Sequence, residues 1–232
     1  MQLCSSKPGR HTLVWIRPEC RAAVAAQVAD EAMHAQVVAW LAADRPLVVA
    51  RQPVTDKGFP DTIAPDTISV GLALPPALGK RRIAFSVAVK DIVRYTPPLR
   101  LADAIDHAHA EWQPALAELD AAASHIDIEL RVFGSLAWQA LSGLHYLTPH
   151  SDIDLLWHPL SNTQLQQGIE LLARWEQASG LRADGEVLFG GSSAVSWREW
   201  AALKSGDDQR VLVKRASSAE LVDALELLEL LA

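Results

Sequence analysis

Val132-Phe133-Gly134-Ser135-Leu136-Ala137-Trp138-Gln139, followed after a loop by Ser151-Asp152-Ile153-Asp154-Leu155-Leu156, is the stretch on which the fold turns. Upstream of it, Ile126, Ile128, Leu130 and Val132 alternate with Asp127, Glu129 and Arg131, the period of a half-buried strand. Gly134-Ser135 ends that strand, and residues 136–141 carry the chain into helical turns. Residues 151–157 form a second strand, in which Asp152 and Asp154 stand two apart, so both carboxylates are expected on one face. Adjacent carboxylates repel unless something positive lies between them. A hard, oxygen-seeking cation such as Mg²⁺, sharing its coordination with substrate phosphates, meets that need. Gly134 and Ser135, at a strand-to-helix corner, suit the other end of such a substrate. Glycine permits close backbone approach, while a helix N-terminus and a hydroxyl supply donors to phosphate oxygens.

Downstream, Ser161 and Gln164 read as a capping box opening a helix that Gly180 terminates. Residues 182–189 and 194–197, joined by Gly190-Gly191, read as a hairpin. Ser196 and Glu199 suit a short helix, residues 210–215 a strand, and Ser217 with Glu220 the opening of a C-terminal helix. Upstream, Leu101, Ile105, Ala108, Trp112, Leu116 and Leu119 recur at spacings of four and three, one face of a helix that Pro114 would kink or split. Before Tyr95-Thr96-Pro97-Pro98 the pattern differs. Strands are expected at residues 11–16, 47–50, 67–74 and 82–89, and Val24, Val28, Val37 and Leu41 mark one long helix ending before Pro46. Residues 52–65 are turn-rich. The expected architecture is α+β: a small α+β N-terminal domain over residues 1–98, then a mixed sheet flanked by helices over residues 99–232.

Composition narrows the function. The 232 residues carry 21 Lys and Arg against 28 Asp and Glu, a net charge of −7, and half the chain is apolar. That supports a buried core and argues against a nucleic-acid coat, whose phosphate contacts recruit clustered Lys and Arg. The charge is uneven: residues 1–110 hold 13 basic and 10 acidic side chains, residues 111–232 hold 8 and 18. The second half therefore carries all of the excess acidity. No run approaches the roughly 18 apolar residues of a membrane span, and no secretory leader is visible, so a cytoplasmic protein with reduced Cys4 and Cys20 is expected. Eight tryptophans among 14 aromatics are expected in the core.

The glycine-serine corner followed by a strand-borne Asp-x-Asp resembles the nucleotidyltransferase superfamily. That resemblance implies a small mixed sheet flanked by helices, a third acid on a later strand, and metal-assisted attack on a phosphorus with loss of diphosphate. In Arg182-Ala183-Asp184-Gly185-Glu186 two acids share a face by alternation, and Asp184 fits the superfamily's Arg-x-Asp pattern better than Glu186, which remains the alternative. Together with Val195-Ser196-Trp197-Arg198-Glu199, Val211-Leu212-Val213-Lys214 and the opening Arg10-His11, residues 133–156 resemble more closely the phosphoribosyl-dephospho-CoA transferases of malonate decarboxylase. This implies a donor, 2′-(5″-triphosphoribosyl)-3′-dephospho-CoA, and an acceptor serine on the decarboxylase's acyl-carrier subunit. Asp152, Asp154 and Asp184 are then the catalytic and Mg²⁺-binding acids. Gly134, Ser135, Gln139 and Lys214 are the donor-binding residues, a solvated edge lysine being the other reading of Lys214.

Two other readings stay open: an adenylyltransferase using ATP, and a silent nucleotidyltransferase fold that only binds. Trp138 suits either the donor pocket or packing under its helix. Arg198 suits a pair with Glu199 or a phosphate contact, and Lys80-Arg81-Arg82 a solvated turn or an anionic partner. His107 and His109 diverge on a helix and share no metal, and His145 and His150 fall in the loop before the acidic strand. No P-loop, GxGxxG or nucleophile elbow occurs.

Overall fold

Short β-branched runs build the first of two sheets. The protein is described here by a computed structural model covering residues 8–52, 66–203 and 209–231, and the chain divides into two units between Pro97 and Pro98. In the first unit β1 (Leu13–Ile16) is followed by helices α1 (Arg21–Ala25) and α2 (Glu31–Ala42), then by β2 (Leu47–Val49), β3 (Thr67–Ala73), β4 (Arg82–Ala88) and β5 (Ile92–Thr96). The strands pair antiparallel in the order β4-β3-β2-β1-β5. Alternation in β3 buries Ile68, Val70 and Leu72 on one face, as a half-covered sheet requires.

Two differences from the sequence reading have local causes. The single long helix is broken because Asp30 adopts extended backbone and its carboxylate accepts the Met33 N–H at 2.9 Å, starting a second helix. β5 was not expected beside the proline pair, yet it pairs along β1 from Leu13↔Thr96 to Ile16↔Ile92. The turn-rich segment at 53–65 lies outside the described residues.

The second unit runs β6 (Leu99–Arg100), α3 (Gln113–Ser124), β7 (Arg131–Val132), α4 (Gly134–Ser142), β8 (Ile153–Trp157), α5 (Asn162–Ser179), β9 (Ala183–Phe189), β10 (Ser193–Ser196), α6 (Trp197–Ala201), β11 (Arg210–Lys214), β12 (Ala219–Asp223) and α7 (Ala224–Leu228). Its sheet order is β12-β11-β10-β9-β8-β7-β6. β8 and β9 pair in parallel and the other neighbours antiparallel, so this is a mixed sheet, with α5 as the crossover that a parallel pair demands. The α+β class holds for both units.

Several sequence signals act as read. Ser161 accepts the Gln164 N–H at 3.2 Å, although the Gln164 side chain returns to Leu160 N–H rather than to Ser161. Gly180 ends α5 in the left-handed region, and Gly190 and Gly191, both at positive φ, turn the β9–β10 hairpin. Pro114 occupies the first turn of α3, where its missing N–H is not needed, so the apolar face over Leu101–Leu119 is split between a short turn and a helix. Every tryptophan is buried.

Others do not. Ser217 and Glu220 open no helix: residues 219–223 pair with β11 from Arg210↔Asp223 to Lys214↔Ala219, and Asp223 caps the helix that follows by accepting Leu225 N–H. Only Arg131 and Val132 of the alternating run enter the ladder, and Asp127 leaves the extended region at φ 54°, although Ile128, Leu130 and Val132 are buried as the alternation requires.

Ile153, Leu155 and Trp157 of β8 face a core completed by α3 and α5. Trp157 fits against α5 because residue 168 is glycine: a Cβ there would lie 2.5 Å from the ring's Cζ3 and 3.0 Å from Ile128 Cδ1. Alanine gains about 1 kcal/mol of helix propensity over glycine, but overpacking a rigid ring costs about 1–3 kcal/mol. Gly168→Ala is therefore expected to destabilise the protein by up to about 2 kcal/mol, read as a lower urea midpoint at unchanged m-value. An unchanged or higher midpoint would show that the ring gives way.

Candidate active site

The corner between β7 and α4 sits against β8. Phe133 donates its N–H to Asp154 O at 3.1 Å, and Gly134 follows at φ 63°. A Cβ at Gly134 would fall 2.6 Å from Asp154 Cγ and overlap the carboxylate oxygen Oδ2. Both its conformation and its space thus require glycine, and the backbone comes directly against the Asp154 carboxylate. Ser135 lies in the first turn of α4, whose N–H groups point out of the helix end, an arrangement that attracts anions.

The acids occupy different settings. Asp154 is half-buried on β8, between Ile153 and Leu155, which are fully buried on the opposite face. Asp184 on β9 is its register partner across the parallel ladder and accepts its own chain's Gly185 N–H at 2.8 Å. Register partners share a face, so the structure brings Asp154 and Asp184 together. Asp152 stands just before β8, with Arg182 Nε 3.5 Å from its carboxylate. Among the described residues no three His, Cys, Asp or Glu side chains gather into a group able to hold a metal ion.

Glu186, two residues beyond Asp184, is 5% exposed and accepts from Lys214 Nζ at 3.1 Å. Lys214 reaches it across β10, where its register partner is the small, buried Ala194. Lys214 and Glu186 therefore stand as an ion pair on the face that carries the two aspartates. Outside this face, the Arg100 guanidinium, bonded twice to Asp103, holds that carboxyl below its ordinary range, and burial pushes Asp120 of α3 up.

Gln139 has a task within the chain. Its Oε1 accepts N–H from Tyr146 at 2.9 Å and Leu147 at 3.0 Å, and its amide nitrogen donates to His107 O. It latches the loop leading to Asp152 onto α4, and Tyr146 stacks on Trp138 with ring centroids 6.3 Å apart. Trp138 and Tyr146 are both buried, the packing reading of Trp138, whereas His145 and His150 are exposed. His107 belongs to a short turn and His109 lies beyond it. Arg198 pairs with Glu176, not with Glu199, which instead accepts Leu212 N–H at 2.6 Å. A glycine between two acids in a strand was the available signal for one residue not singled out. Gly185, at φ 139°, lies so close to β8 that a Cβ would be 2.7 Å from Leu155 N and C.

The comparisons with known proteins agree over residues 9–224. Residues 100–224 match the phosphoribosyl-dephospho-CoA transferase MdcG C-terminal domain, and residues 9–98 match the N-terminal domain of the same family. The chain belongs to the phosphoribosyl-dephospho-CoA transferase family. It is a transferase. A phosphoribosyl-dephospho-CoA transferase of Xanthomonas campestris pv. campestris is 42% identical over 214 residues, 92% of this chain and 93% of that protein. One from Bradyrhizobium diazoefficiens is 33% identical over 217 residues, covering 93% and 90%. No solved structure matches the chain. Among the described residues no helix is long and apolar enough to cross a membrane.

For this transferase the corner glycine gives a direct test. Gly134→Ala is expected to fold, because only the corner moves, yet to lose about 100-fold in transfer rate, the scale of an ångström-sized misplacement. Circular dichroism and a transfer assay on one preparation check both halves; full activity would show that the corner does not approach the substrate.

Proposed function

We propose that this enzyme transfers the phosphoribosyl-dephospho-CoA group from 2′-(5″-triphosphoribosyl)-3′-dephospho-CoA to a serine of a malonate decarboxylase acyl-carrier subunit, releasing diphosphate. The observation that carries the reading is the Gly134 backbone set against Asp154, with Asp184 in register beside it. The relatives' name supports the transferred group. In the reaction the serine oxygen bonds to the phosphorus nearest the ribose, the bond from that phosphorus to the diphosphate oxygen breaks, and the serine proton passes to a carboxylate, a role we assign to Asp184. The α4 N-terminus and the Ser135 hydroxyl hold the outer phosphates. Lys214 spends one of its three donors on Glu186 and keeps the others for a phosphate oxygen. Gln139 acts on the donor indirectly, by fixing the loop before Asp152.

The donor chemistry fits Mg²⁺: the side chains are carboxylates, and an ion of this type is commonly held by one or two of them with substrate phosphates and water completing its shell. Asp154 and Asp184 are the residues that would hold it, and Asp152, just before β8, is assigned to the same set. Bound there, it would offset the triphosphate charge as bonds form and break at phosphorus. Asp184 is preferred over Glu186 as the third acid because it faces Asp154 in register, whereas Glu186 is occupied by Lys214. We place the reaction in a reducing cytoplasm, consistent with the free Cys20.

The test incubates the protein with Mg²⁺, the apo-carrier and either the triphosphoribosyl donor or ATP, and weighs the carrier by mass spectrometry. A mass gain with the triphosphoribosyl donor alone is expected. Adenylylation by ATP, or ligand binding with no adduct, would replace the reading by an adenylyltransferase or a binding module. Asp154→Asn and Asp152→Asn are each expected to lower transfer by at least about 100-fold without unfolding; full activity in either removes that residue from the site.

A further inference from the structure

β9 carries Asp184, but its β10 neighbour begins only at Glu186↔Ser196. Alanine 183, one residue before the acid, is fully buried and has no strand on that flank to receive its backbone groups. Buried peptide groups need partners, and here they come from two helices. The Ala183 N–H donates to Glu176 Oε1 at 2.6 Å, from the last turns of α5. The Ala183 carbonyl accepts from Arg198 Nη2 at 2.8 Å and from Trp197 Nε1 at 3.3 Å, both at the start of α6. The same Arg198 Nη2 donates to Glu176, closing a ring around the backbone of one residue, and the guanidinium lies over the Trp197 ring, 4.6 Å from its centroid. On the far side β8 holds the chain, with Ile153 N–H on Arg182 O at 2.8 Å.

We infer that Glu176 and Arg198 form a register clamp, two positioning residues that set Asp184 opposite Asp154 for the transfer. The inference rests on the reading that Asp184 takes part in the reaction. Neither residue needs to touch substrate. They replace the strand that β9 lacks at this point, and Gly185 leaves no play on the next residue because it lies directly against the Leu155 backbone. The charge of the pair matters to the geometry. Arg198 bridges two acceptors through one nitrogen, so a carboxylate at residue 176 draws that nitrogen to where it also meets the Ala183 carbonyl.

The test compares the full-length protein with Arg198→Met, which keeps the stem without its donors, Arg198→Lys, whose single ammonium can serve both acceptors, and Glu176→Gln. Rates and donor KM are measured in the transfer assay, amide hydrogen exchange at Ala183 and Gly185, and folding by circular dichroism. Arg198→Met is expected to lower kcat by roughly 10- to 100-fold, as a small misplacement of a reacting group does, with donor KM within about threefold. Exchange should accelerate at Ala183 and Gly185 and stay unchanged in the β9–β10 hairpin. Arg198→Lys and Glu176→Gln should lie between this variant and the parent. Unchanged kcat in Arg198→Met with faster exchange would overturn the inference, leaving a purely structural contact; so would unchanged exchange at both amides. If Arg198→Met does not fold, the same two criteria apply to Glu176→Gln. Asp184→Asn separates this inference from the one beneath it. Full activity there removes Asp184 from the reaction, whereas an inactive Asp184→Asn beside a fully active Arg198→Met overturns the clamp alone.

Discussion

The parallel pairing of β8 with β9 is the constraint from which the second unit follows. It makes Asp154 and Asp184 register partners, and it requires a crossover long enough to return the chain, which α5 supplies. Two missing side chains let these layers close up. Gly185 admits the Leu155 backbone, and Gly168 admits the Trp157 ring. One glycine therefore sets the spacing within the sheet and the other the spacing between sheet and helix. Core packing near crystalline density leaves little freedom to correct an error at either place.

Alternation along these strands divides the sheet by chemistry. Ile153, Leu155, Ala183, Val187, Phe189, Val211 and Val213 go to the core, while Asp154, Asp184, Glu186 and Lys214 go to the opposite face. Burying a carboxylate as deeply as Glu186 is expensive unless it is paired. Lys214 meets that cost from two strands away, over an alanine small enough to let its stem pass. A sheet face with this many charges holds together because each has a specific neighbour, not because the surface is generally polar.

Much of this was legible in the sequence, for local reasons. Gly134 needs its positive φ, Ser161 caps its helix, Gly180 stops it and Gly190-Gly191 turn a hairpin; each requirement falls on one or two neighbouring residues. What stayed hidden depends on distant partners. Residues 219–223 have a helix-opening pattern but become a strand because β11 lies open beside them, and Asp223 then caps the helix instead of Ser217. Asp30 breaks an Ala-rich run whose periodicity continues straight through it. In the site, the strand-to-helix corner and the shared face of Asp184 and Glu186 were readable from local pattern. The partners of Lys214 and Arg198, and the His107 carbonyl that takes the Gln139 amide, were not, because they lie 28, 22 and 32 residues away in the chain.

Gln139 shows how little its chemistry is interchangeable. A glutamate there would accept the Tyr146 and Leu147 N–H groups equally well, but it would have nothing to give the His107 carbonyl. It would also place a full negative charge five residues into a helix whose beginning favours anions. The amide satisfies three backbone groups while remaining electrically silent, so the loop is fastened without weakening the pull of the helix end on whatever negative group arrives there.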